Sequence, residues 1–280
     1  MGDVRDDRDA ELRVGVLGHG AIGSKVAGLL RRGEIPGARL TGVLVRGDGP
    51  VPLRARTVRA LVESADVVVE AAGQQALWDH GAEILDAGCD LVAVSVGALA
   101  DDGLFRGLTG ARGAGAVPRG RLLVCPGALG GLDVVRAATI GGPLISARLT
   151  SSKLPGSLVQ PWMDEGTAAR LRALRPGDEP VVVHDGPARE AAIRFPRNAN
   201  VAATLALAAG DWSAVRVRLV ADPGATLTRH VVEFRARIGE YRFELGNLPD
   251  ADNPATSGLV PYAVARTLAD LVPGTAWRIA

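Results

Sequence analysis

The sequence has little of what marks disulfide-bonded, membrane-spanning or nucleic-acid-binding chains. Its 280 residues include only two cysteines. No apolar run reaches the roughly 18 residues that a membrane-spanning helix needs. The 32 basic and 31 acidic residues leave a formal net charge of +1, which gives no electrostatic reason to expect a nucleic acid or an acidic membrane as partner. The length allows one large domain or two of ordinary size.

The two cysteines and the N-terminus indicate the compartment. Cys89 and Cys125 lie in or beside apolar, strand-like runs and lack the CxxC or histidine spacing of a metal site. They are therefore expected to be buried thiols in a reducing cytosol, with no metal bound. Residues 1–12 carry alternating charge and no apolar segment, which predicts a disordered tail rather than a signal or transit peptide. We expect a cytoplasmic protein.

The segment from Arg13 to Arg32 joins an apolar run, a glycine turn and a helical pattern, in that order. In the turn, Gly18 suits a tight bend, Gly20 lets the backbone approach a pyrophosphate, and Gly23 lets the helix lie close to the strand. Free backbone amides at the helix start then face the phosphate oxygens. The sequence predicts a dinucleotide site at this turn, formed by residues Gly18, Gly20, Ala21, Ile22 and Gly23.

Strands alternate with helices over residues 13–131, which predicts a doubly wound parallel sheet of the α/β class. Ligands bind outside the carboxyl ends of the strands in such sheets. Ala72 follows one strand, and Ser95-Val96-Gly97 ends a predicted strand over 91–97, so both lie at the expected cofactor edge. A helix is expected from Asp102 to about residue 116, before a glycine- and arginine-rich loop.

The pattern changes after residue 131. Residues 132–257 contain several strands without regularly alternating helices, which indicates a second, α+β domain with an open mixed sheet. Two of its strands are joined as a hairpin through residues 237–240. Residues 258–280 contain an amphipathic helix that is expected to return to the first domain.

Arg46 follows the second predicted strand, where an acidic residue would bind the ribose diol and repel a 2′-phosphate. A guanidinium can bind a phosphate or stack on adenine, so Arg46 favours acceptance of NADP. Asp48 lies two residues on and leaves NAD open. Arg46 as an ordinary surface arginine is the alternative.

Few residues are candidates for proton transfer or carboxylate binding. His230 shares a strand face with Val232 and Phe234, so it is either a core histidine or a site residue. His184 precedes a predicted turn. Lys153 ends a strand and can bind a substrate carboxylate, although a solvated lysine is the commoner outcome. Asn198 and Asn200 precede a helix, where an N-cap is the default role for Asn200; His19 and His80 are expected to face solvent.

Seven segments together resemble the L-aspartate dehydrogenase family, and the likeness covers nearly the whole chain after residue 12. They are Gly18-His-Gly-Ala-Ile-Gly23, Ser95-Val-Gly-Ala-Leu99, Pro126-Gly-Ala-Leu-Gly-Gly-Leu-Asp133, Phe195-Pro-Arg-Asn-Ala-Asn-Val-Ala-Ala-Thr204, Ala221-Asp-Pro223, His230 and Asn253-Pro-Ala-Thr-Ser257. The resemblance implies oxidation of L-aspartate with NAD or NADP to iminoaspartate, which is hydrolysed to oxaloacetate and ammonia or enters NAD biosynthesis.

The resemblance also implies a Rossmann-type domain, an α+β domain that carries substrate groups, and commonly a homodimer. It makes His230 the active-site acid or base, and Ala128 and Asn200 cofactor contacts. Lys153 and Asn198 are expected to hold substrate carboxylates. The family tends to read Thr-Arg-Lys-Pro-Pro where this chain has Ser151-Ser-Lys-Leu-Pro155, so the arginine before the lysine is missing. A related imine or amino-acid reductase, or a non-catalytic NAD(P)-sensing protein, are the alternatives.

Overall fold

The computed structural model describes residues 11–110, 119–196, 198, 200–253 and 256–274. They form two compact units. The first contains the described residues of 11–95, 101–125 and 261–274, and the second those of 96–100 and 126–260. Most of the predicted N-terminal tail, and the glycine- and arginine-rich loop from 111 to 118, lie outside the described residues. The functional domain bounds 13–131, 132–257 and 258–280 stay a prediction.

The first unit is built on a five-stranded parallel sheet in the order β2-β1-β3-β4-β5. Its strands are β1 (Leu12–Leu17), β2 (Ala38–Leu44), β3 (Val67–Glu70), β4 (Asp90–Ala93) and β5 (Leu122–Val124). Its helices are α1 (Ala21–Arg31), α2 (Val58–Glu63), α3 (Gln74–Asp86), α4 (Asp102–Thr109) and most of the later α10 (Val260–Leu271). The predicted doubly wound sheet is confirmed.

The hydrophobic patterns explain these elements. β3 is buried at every position, as expected for a strand covered on both faces. In α1, Val26, Leu29 and Leu30 recur at helical spacing and are buried, while Arg31 and Arg32 are exposed. The strand order reverses between β1 and β3, which makes the carboxyl ends of these two strands the switch point where ligands bind in such sheets.

The second unit contains a mixed sheet in the order β10-β9-β6-β8-β7, with β6 and β8 parallel and the other pairs antiparallel. Its strands are β6 (Ser146–Lys153), β7 (Val181–Pro187), β8 (Val215–Ala221), β9 (Thr228–Ala236) and β10 (Gly239–Asn247). Its helices are α5 (Leu132–Ile140), α6 (Pro155–Leu158), α7 (Glu165–Ala173), α8 (Ala188–Arg194) and α9 (Asn200–Ala209). The open mixed sheet and the β9–β10 hairpin are confirmed.

One face of the second sheet forms the core of its unit. Strand residues such as Leu149, Val217 and Val232 pack with helix residues that include Ala191 and Leu205. The opposite face exposes charged side chains, and several of them form ion pairs across β9 and β10, such as that between Arg242 and Glu233. Because side chains alternate along a strand, the residues on the core face follow directly from the register.

The structure corrects several predicted elements. The predicted strand over 91–97 ends at Ala93, and Val96–Ala100 forms a short 3-10 helix, because the run of apolar residues continues beyond the sheet edge. Helix α4 ends at Thr109, where Gly110 adopts a left-handed conformation. The short helices α6 and α8 were not predicted. Among the described residues, no helix has the length and apolar character that crossing a bilayer requires.

Candidate active site

The glycine turn after β1 has the backbone geometry of a phosphate-binding turn. Gly18 has a φ of +99°, and a Cβ atom there would lie 2.6 Å from the carbonyl oxygen of Ala71. A Cβ at Gly23 would lie 2.2 Å from the carbonyl oxygen of Gly18. At Gly20, in contrast, a Cβ would meet no atom within 4 Å. The turn therefore packs tightly on its inner side and leaves open space above Gly20, at the N-terminus of α1.

This open space belongs to a cavity of about 530 Å³ at the carboxyl edge of the first sheet. Of the predicted cofactor residues, Gly18, Gly20, Arg46 and Ala72 line it, while Ala21, Ile22 and Gly23 begin α1 and are not lining residues. His19 and His80, which were expected to face solvent, are half-buried lining residues. The residues that line the cavity are Leu17, Gly18, His19, Gly20, Leu44, Val45, Arg46, Arg56, Thr57, Val58, Ala71, Ala72, Ala76, Asp79 and His80.

A buried carboxylate holds the loops at this edge. Glu70 ends β3 and is completely buried. Its Oε1 accepts hydrogen bonds from the backbone amides of Ala72 and Gly73 and from Ser95 Oγ, and its Oε2 accepts from the amide of Ser95. Burial raises the pKa of Glu70, and these four donors oppose that shift by stabilising the carboxylate. Glu70 thus ties the loop after β3 to the loop after β4.

The cavity fits a dinucleotide in three respects. The space above Gly20 is open to a pyrophosphate, because glycine has no side chain to fill it and no other atom lies within 4 Å of its Cβ position. The amides at the start of α1 are the donors that a phosphate needs. Arg46 lies beyond the end of β2, where the adenosine ribose is bound in this fold.

In the second unit, Ser151 on β6 and His230 on β9 face each other across the antiparallel ladder. A hydrogen bond of 2.8 Å joins Ser151 Oγ to His230 Nδ1. Both residues lie on the core face, and His230 is 1% exposed, so the predicted strand face of His230 is confirmed. Among the described residues, Ser151 is the one hydrogen-bond partner of the His230 ring. Ser151 therefore occupies Nδ1 and leaves Nε2 without a hydrogen-bond partner in the described part of the chain.

Lys153 lies two residues further along β6, on the same face, and is 8% exposed. The expectation of a solvated lysine is wrong, because β6 is the central strand of the sheet and Lys153 lies on its buried face. The Nζ atom of Lys153 lies 3.5 Å from Oδ1 of Asn198, its one polar side-chain partner among the described residues. Nδ2 of Asn198 in turn donates to the carbonyl oxygen of Ser157 at 2.9 Å.

Burial shifts the pKa of both ionisable groups in this cluster. It lowers the pKa of Lys153 to about 8, because the ammonium loses its hydration and has no carboxylate beside it in the described part of the chain. Burial, followed by the charge of Lys153, lowers the pKa of His230 to about 3. At neutral pH the cluster therefore combines a neutral imidazole with a buried ammonium that has no anionic partner among the described residues.

The remaining predicted cofactor residues lie in the second unit. Asn200 is the first residue of α9, and its Oδ1 accepts a hydrogen bond of 3.0 Å from the amide of Gly97. The default role of Asn200 as an N-cap is thus replaced by a contact with the 3-10 helix. The carbonyl oxygen of Ala128 accepts from Nδ2 of Asn247 at 3.2 Å. Neither Ala128 nor Asn200 lines the cavity of the first unit.

Three residues of interest were missed from the sequence. Ser151 and Glu70 lie in strands, and only the period-2 alternation that placed His230 could have put Ser151 on the buried face. Arg56 follows a loop whose path the sequence does not reveal. The turn expected after His184 is also wrong, because His184 lies within β7 and is buried against Phe195. No group of three or more metal-ligating side chains occurs within the described ranges.

Comparison with known proteins assigns the family. Residues 133–271 match the model described as "Aspartate dehydrogenase, C-terminal", and residues 18–117 match "Homoserine dehydrogenase, NAD binding domain". L-aspartate dehydrogenase 2 of Bordetella pertussis is 38% identical over 271 residues, which cover 91% of this chain and 95% of the relative. The chain belongs to the L-aspartate dehydrogenase family. The L-aspartate dehydrogenase of Pseudomonas aeruginosa is also 38% identical, over 92% of this chain and 96% of its own length.

Solved structures agree with membership of the L-aspartate dehydrogenase family. Aspartate dehydrogenase from Thermotoga maritima superposes with a TM-score of 0.72 and 26% identity, over 96% of this chain and 100% of that one. An archaeal homoserine dehydrogenase has a TM-score of 0.55 at 12% identity, over 94% of this chain and 97% of that one, which is a likeness of fold alone. As a member of the aspartate dehydrogenase family, the chain is an NAD(P)-dependent amino-acid dehydrogenase.

Proposed function

We propose that the protein oxidises L-aspartate with NAD or NADP to iminoaspartate, which is hydrolysed to oxaloacetate and ammonia, and that it also runs the reverse reductive amination. The observation that carries this proposal is the buried Lys153 ammonium, without an acidic partner in the described residues, beside the Ser151–His230 pair. The names of the relatives from Bordetella and Pseudomonas support aspartate as the substrate.

Lys153 and Asn198 are proposed to bind a substrate carboxylate. A buried ammonium is unfavourable unless an anion pairs with it, so a carboxylate that binds there removes the burial penalty. Asn198 is held by its hydrogen bond to Ser157, which orients its amide beside Nζ of Lys153. Because Ser152 stands where the family has an arginine, Lys153 is the one cation that this motif supplies.

His230 is proposed as the acid and base. Its neutral imidazole accepts the proton of the water that attacks the imine carbon. In the reverse direction the protonated ring returns this proton to the carbinolamine hydroxyl, which leaves as water when the C–O bond breaks. When Nδ1–H donates to Oγ of Ser151, Nε2 holds the lone pair that accepts this proton. The carboxylates of a bound substrate raise the pKa of His230 from its low value, which makes the ring a stronger base in the complex.

The cofactor is proposed to lie in the cavity above Gly20, with its pyrophosphate on the amides that begin α1. NAD(P), when bound, supplies the acceptor for the hydride that leaves Cα of the substrate. Gly18 and Gly20 shape the backbone under the pyrophosphate, and Glu70 holds the loop that contains Ala72. Ala128 and Asn200 are proposed cofactor contacts by resemblance. Arg46 favours acceptance of NADP, and NAD stays the alternative cofactor.

The test is a panel of amino acids, and of 2-oxo acids with ammonia, followed by the absorbance of NAD(P)H. Turnover with aspartate and oxaloacetate supports the proposal. Turnover with a different amino acid would indicate a related imine or amino-acid reductase, which the missing arginine before Lys153 leaves as the second candidate. Binding of NAD(P)H without any turnover would indicate a sensing protein.

The role of His230 is tested with His230→Ala and His230→Asn. Both changes should lower kcat by roughly 100-fold or more, because general acid and base catalysis contributes about that much. NADPH affinity, measured by fluorescence titration, should stay within about twofold of wild type, since His230 lies outside the cavity around Gly20. Unchanged turnover would remove His230 from the mechanism.

The assembly and pathway also remain proposals. The resemblance to the family supports a homodimer, which light scattering on the purified protein measures. It also supports a role of iminoaspartate in NAD biosynthesis. Complementation of a strain that lacks its own source of iminoaspartate tests that role.

A further inference from the structure

The loop between β2 and α2 folds back along the open edge of the first sheet. The amide of Val43 donates to the carbonyl oxygen of Leu53 at 3.0 Å, and the amide of Ala55 donates to the carbonyl oxygen of Val43 at 2.9 Å. These bonds form a parallel bridge between Val43 and Arg54. The segment around Arg54 therefore runs beside β2 in the same direction, like a short sixth strand.

This register brings a second arginine to the end of β2. Because Arg54 pairs with Val43 and the two segments run in the same direction, Arg56 lies two residues further toward the end of β2. Arg46 and Arg56 are accordingly both lining residues of the cavity around Gly20. The nine residues between them, 47–55, form the loop that returns the chain to the same edge.

Arg54 stabilises that loop. Its guanidinium donates to the carbonyl oxygens of Gly47, at 2.9 Å, and Gly49, at 3.1 Å, across the turn that follows Arg46. The Arg54 guanidinium therefore binds the loop backbone. In contrast, Arg46 and Arg56 are exposed and have no ion pair or side-chain hydrogen bond within the described part of the chain. Two guanidinium groups at one cavity edge repel each other unless an anion binds between them.

The two arginines outnumber the acidic residues among the described lining residues, which favours an anion at this edge. Asp79 is the one acidic residue among those described as lining the cavity, and its Oδ1 accepts a hydrogen bond of 2.8 Å from Nε2 of Gln75. Asp48, which left NAD open in the sequence, is not among the lining residues. A phosphate monoester offers three oxygens, and guanidinium groups bind such oxygens in pairs.

We propose that Arg56 and Arg46 together bind the 2′-phosphate of NADP, and that Arg56 is the specificity residue which the sequence alone does not reveal. The proposal rests on the proposed use of NAD(P), but not on the identity of the amino-acid substrate. Arg54 has a structural role only in this proposal, because its guanidinium binds the backbone of the loop.

The test measures binding of two fragments to the full chain by isothermal titration calorimetry. The probes are 2′,5′-ADP, which carries the 2′-phosphate, and 5′-AMP, which lacks it. The variants are Arg56→Ala and Arg46→Ala. Arg59→Ala is the matched control, because Arg59 is exposed on α2, pairs with Glu63 and is not a lining residue. Thermal unfolding of each variant confirms that it is folded.

The wild-type protein should bind 2′,5′-ADP more tightly than 5′-AMP. Arg56→Ala should weaken 2′,5′-ADP by about ten- to a hundredfold, the size expected for lost hydrogen bonds between charged groups, and change 5′-AMP by less than about twofold. Arg56→Lys should recover part of the difference, and added salt should reduce it. The ratio of kcat/KM for NADP to that for NAD should fall by a similar factor.

Three results would overturn the proposal. The first is equal affinity of the wild-type protein for the two probes. The second is an equal loss of both probes in Arg56→Ala, which would show that Arg56 supports the adenosine or the loop. The third is an effect of Arg59→Ala as large as that of Arg56→Ala. Because the probes bind without any amino acid, failure of aspartate turnover does not alter this test.

Discussion

Ser151 Oγ lies 2.8 Å from His230 Nδ1, although 79 positions separate the two residues in sequence. They are direct partners in the β6–β9 ladder, so the backbone register fixes their distance. Because both side chains are buried on the core face, neither can exchange this hydrogen bond freely for one to water. The proposed base is therefore held in one orientation by a residue of the neighbouring strand.

Ser151→Ala should lower kcat by about tenfold or more and leave the KM for cofactor unchanged, because the imidazole loses the hydrogen bond that orients it. Ser151→Thr keeps the hydroxyl and should retain most of the activity. The measurement is steady-state kinetics across pH, with nitrogen NMR of the histidine ring to report the tautomer. Equal rates for Ser151→Ala and wild type would show that the hydrogen bond has no part in turnover.

Binding of a dicarboxylate should weaken above pH 8, because Lys153 has a pKa of about 8 and binds carboxylates only when protonated. Succinate is a suitable probe, since it has no amine that titrates in this range. Its inhibition constant should be flat below pH 7 and rise roughly tenfold per unit well above pH 8. Lys153→Arg stays charged, so any succinate binding that it retains should not change over this range. A flat profile for the wild-type protein would contradict the assignment.

Lys153→Met should stabilise the fold while it abolishes turnover. The pKa of Lys153 falls from 10.5 to about 8 on folding, so the buried ammonium destabilises the native state on the order of 3 kcal/mol at neutral pH. That penalty is complete below pH 8 and disappears as pH rises from 8 to 10.5, because the native state then releases the proton. Urea unfolding at pH 7 and pH 10 should show the difference between the two proteins shrink. A variant less stable than wild type at pH 7 would count against this account.

Gly20→Ala and Gly23→Ala should have opposite effects. Gly20 has a φ of −79° and open space at its Cβ position, so Gly20→Ala should change stability by less than about 0.5 kcal/mol but weaken NAD(P)H binding. Gly23→Ala places a methyl group 2.2 Å from a backbone oxygen, which should destabilise the fold by more than about 2 kcal/mol. Thermal unfolding and NADH fluorescence separate the two. Normal cofactor affinity in Gly20→Ala would mean that the pyrophosphate lies elsewhere.

Glu70→Gln should destabilise the protein by about 1–3 kcal/mol, although it removes a buried charge. The carboxylate accepts four hydrogen bonds on two oxygens, whereas the glutamine amide presents a donor to one of those groups. Urea unfolding measures the change. Glu63→Gln on α2 is the control and should stay within about 0.5 kcal/mol, since Glu63 is exposed and its ion pair with Arg59 lies at the surface. Equal effects of the two changes on the free energy of unfolding would contradict the proposal that Glu70 stabilises the loops after β3 and β4.

The sequence by itself determined the features that depend on neighbours along the chain. The turn from Gly18 to Gly23 follows from local backbone requirements, and the alternation of His230 with Val232 follows from the period of a strand. The hydrophobic runs also predicted both sheets, because burial on one face or two leaves a pattern within each element.

The tertiary structure alone decided which distant residues meet. Strand register places Ser151 opposite His230, and a central position in the sheet buries Lys153. A bridge to Val43 brings Arg56 to the end of β2. Register and loop path depend on pairing between segments far apart in sequence, and a shift of one residue would turn every side chain to the other face. The sequence thus determines which chemical groups are available to the site, but their distances are set only when the strands pair.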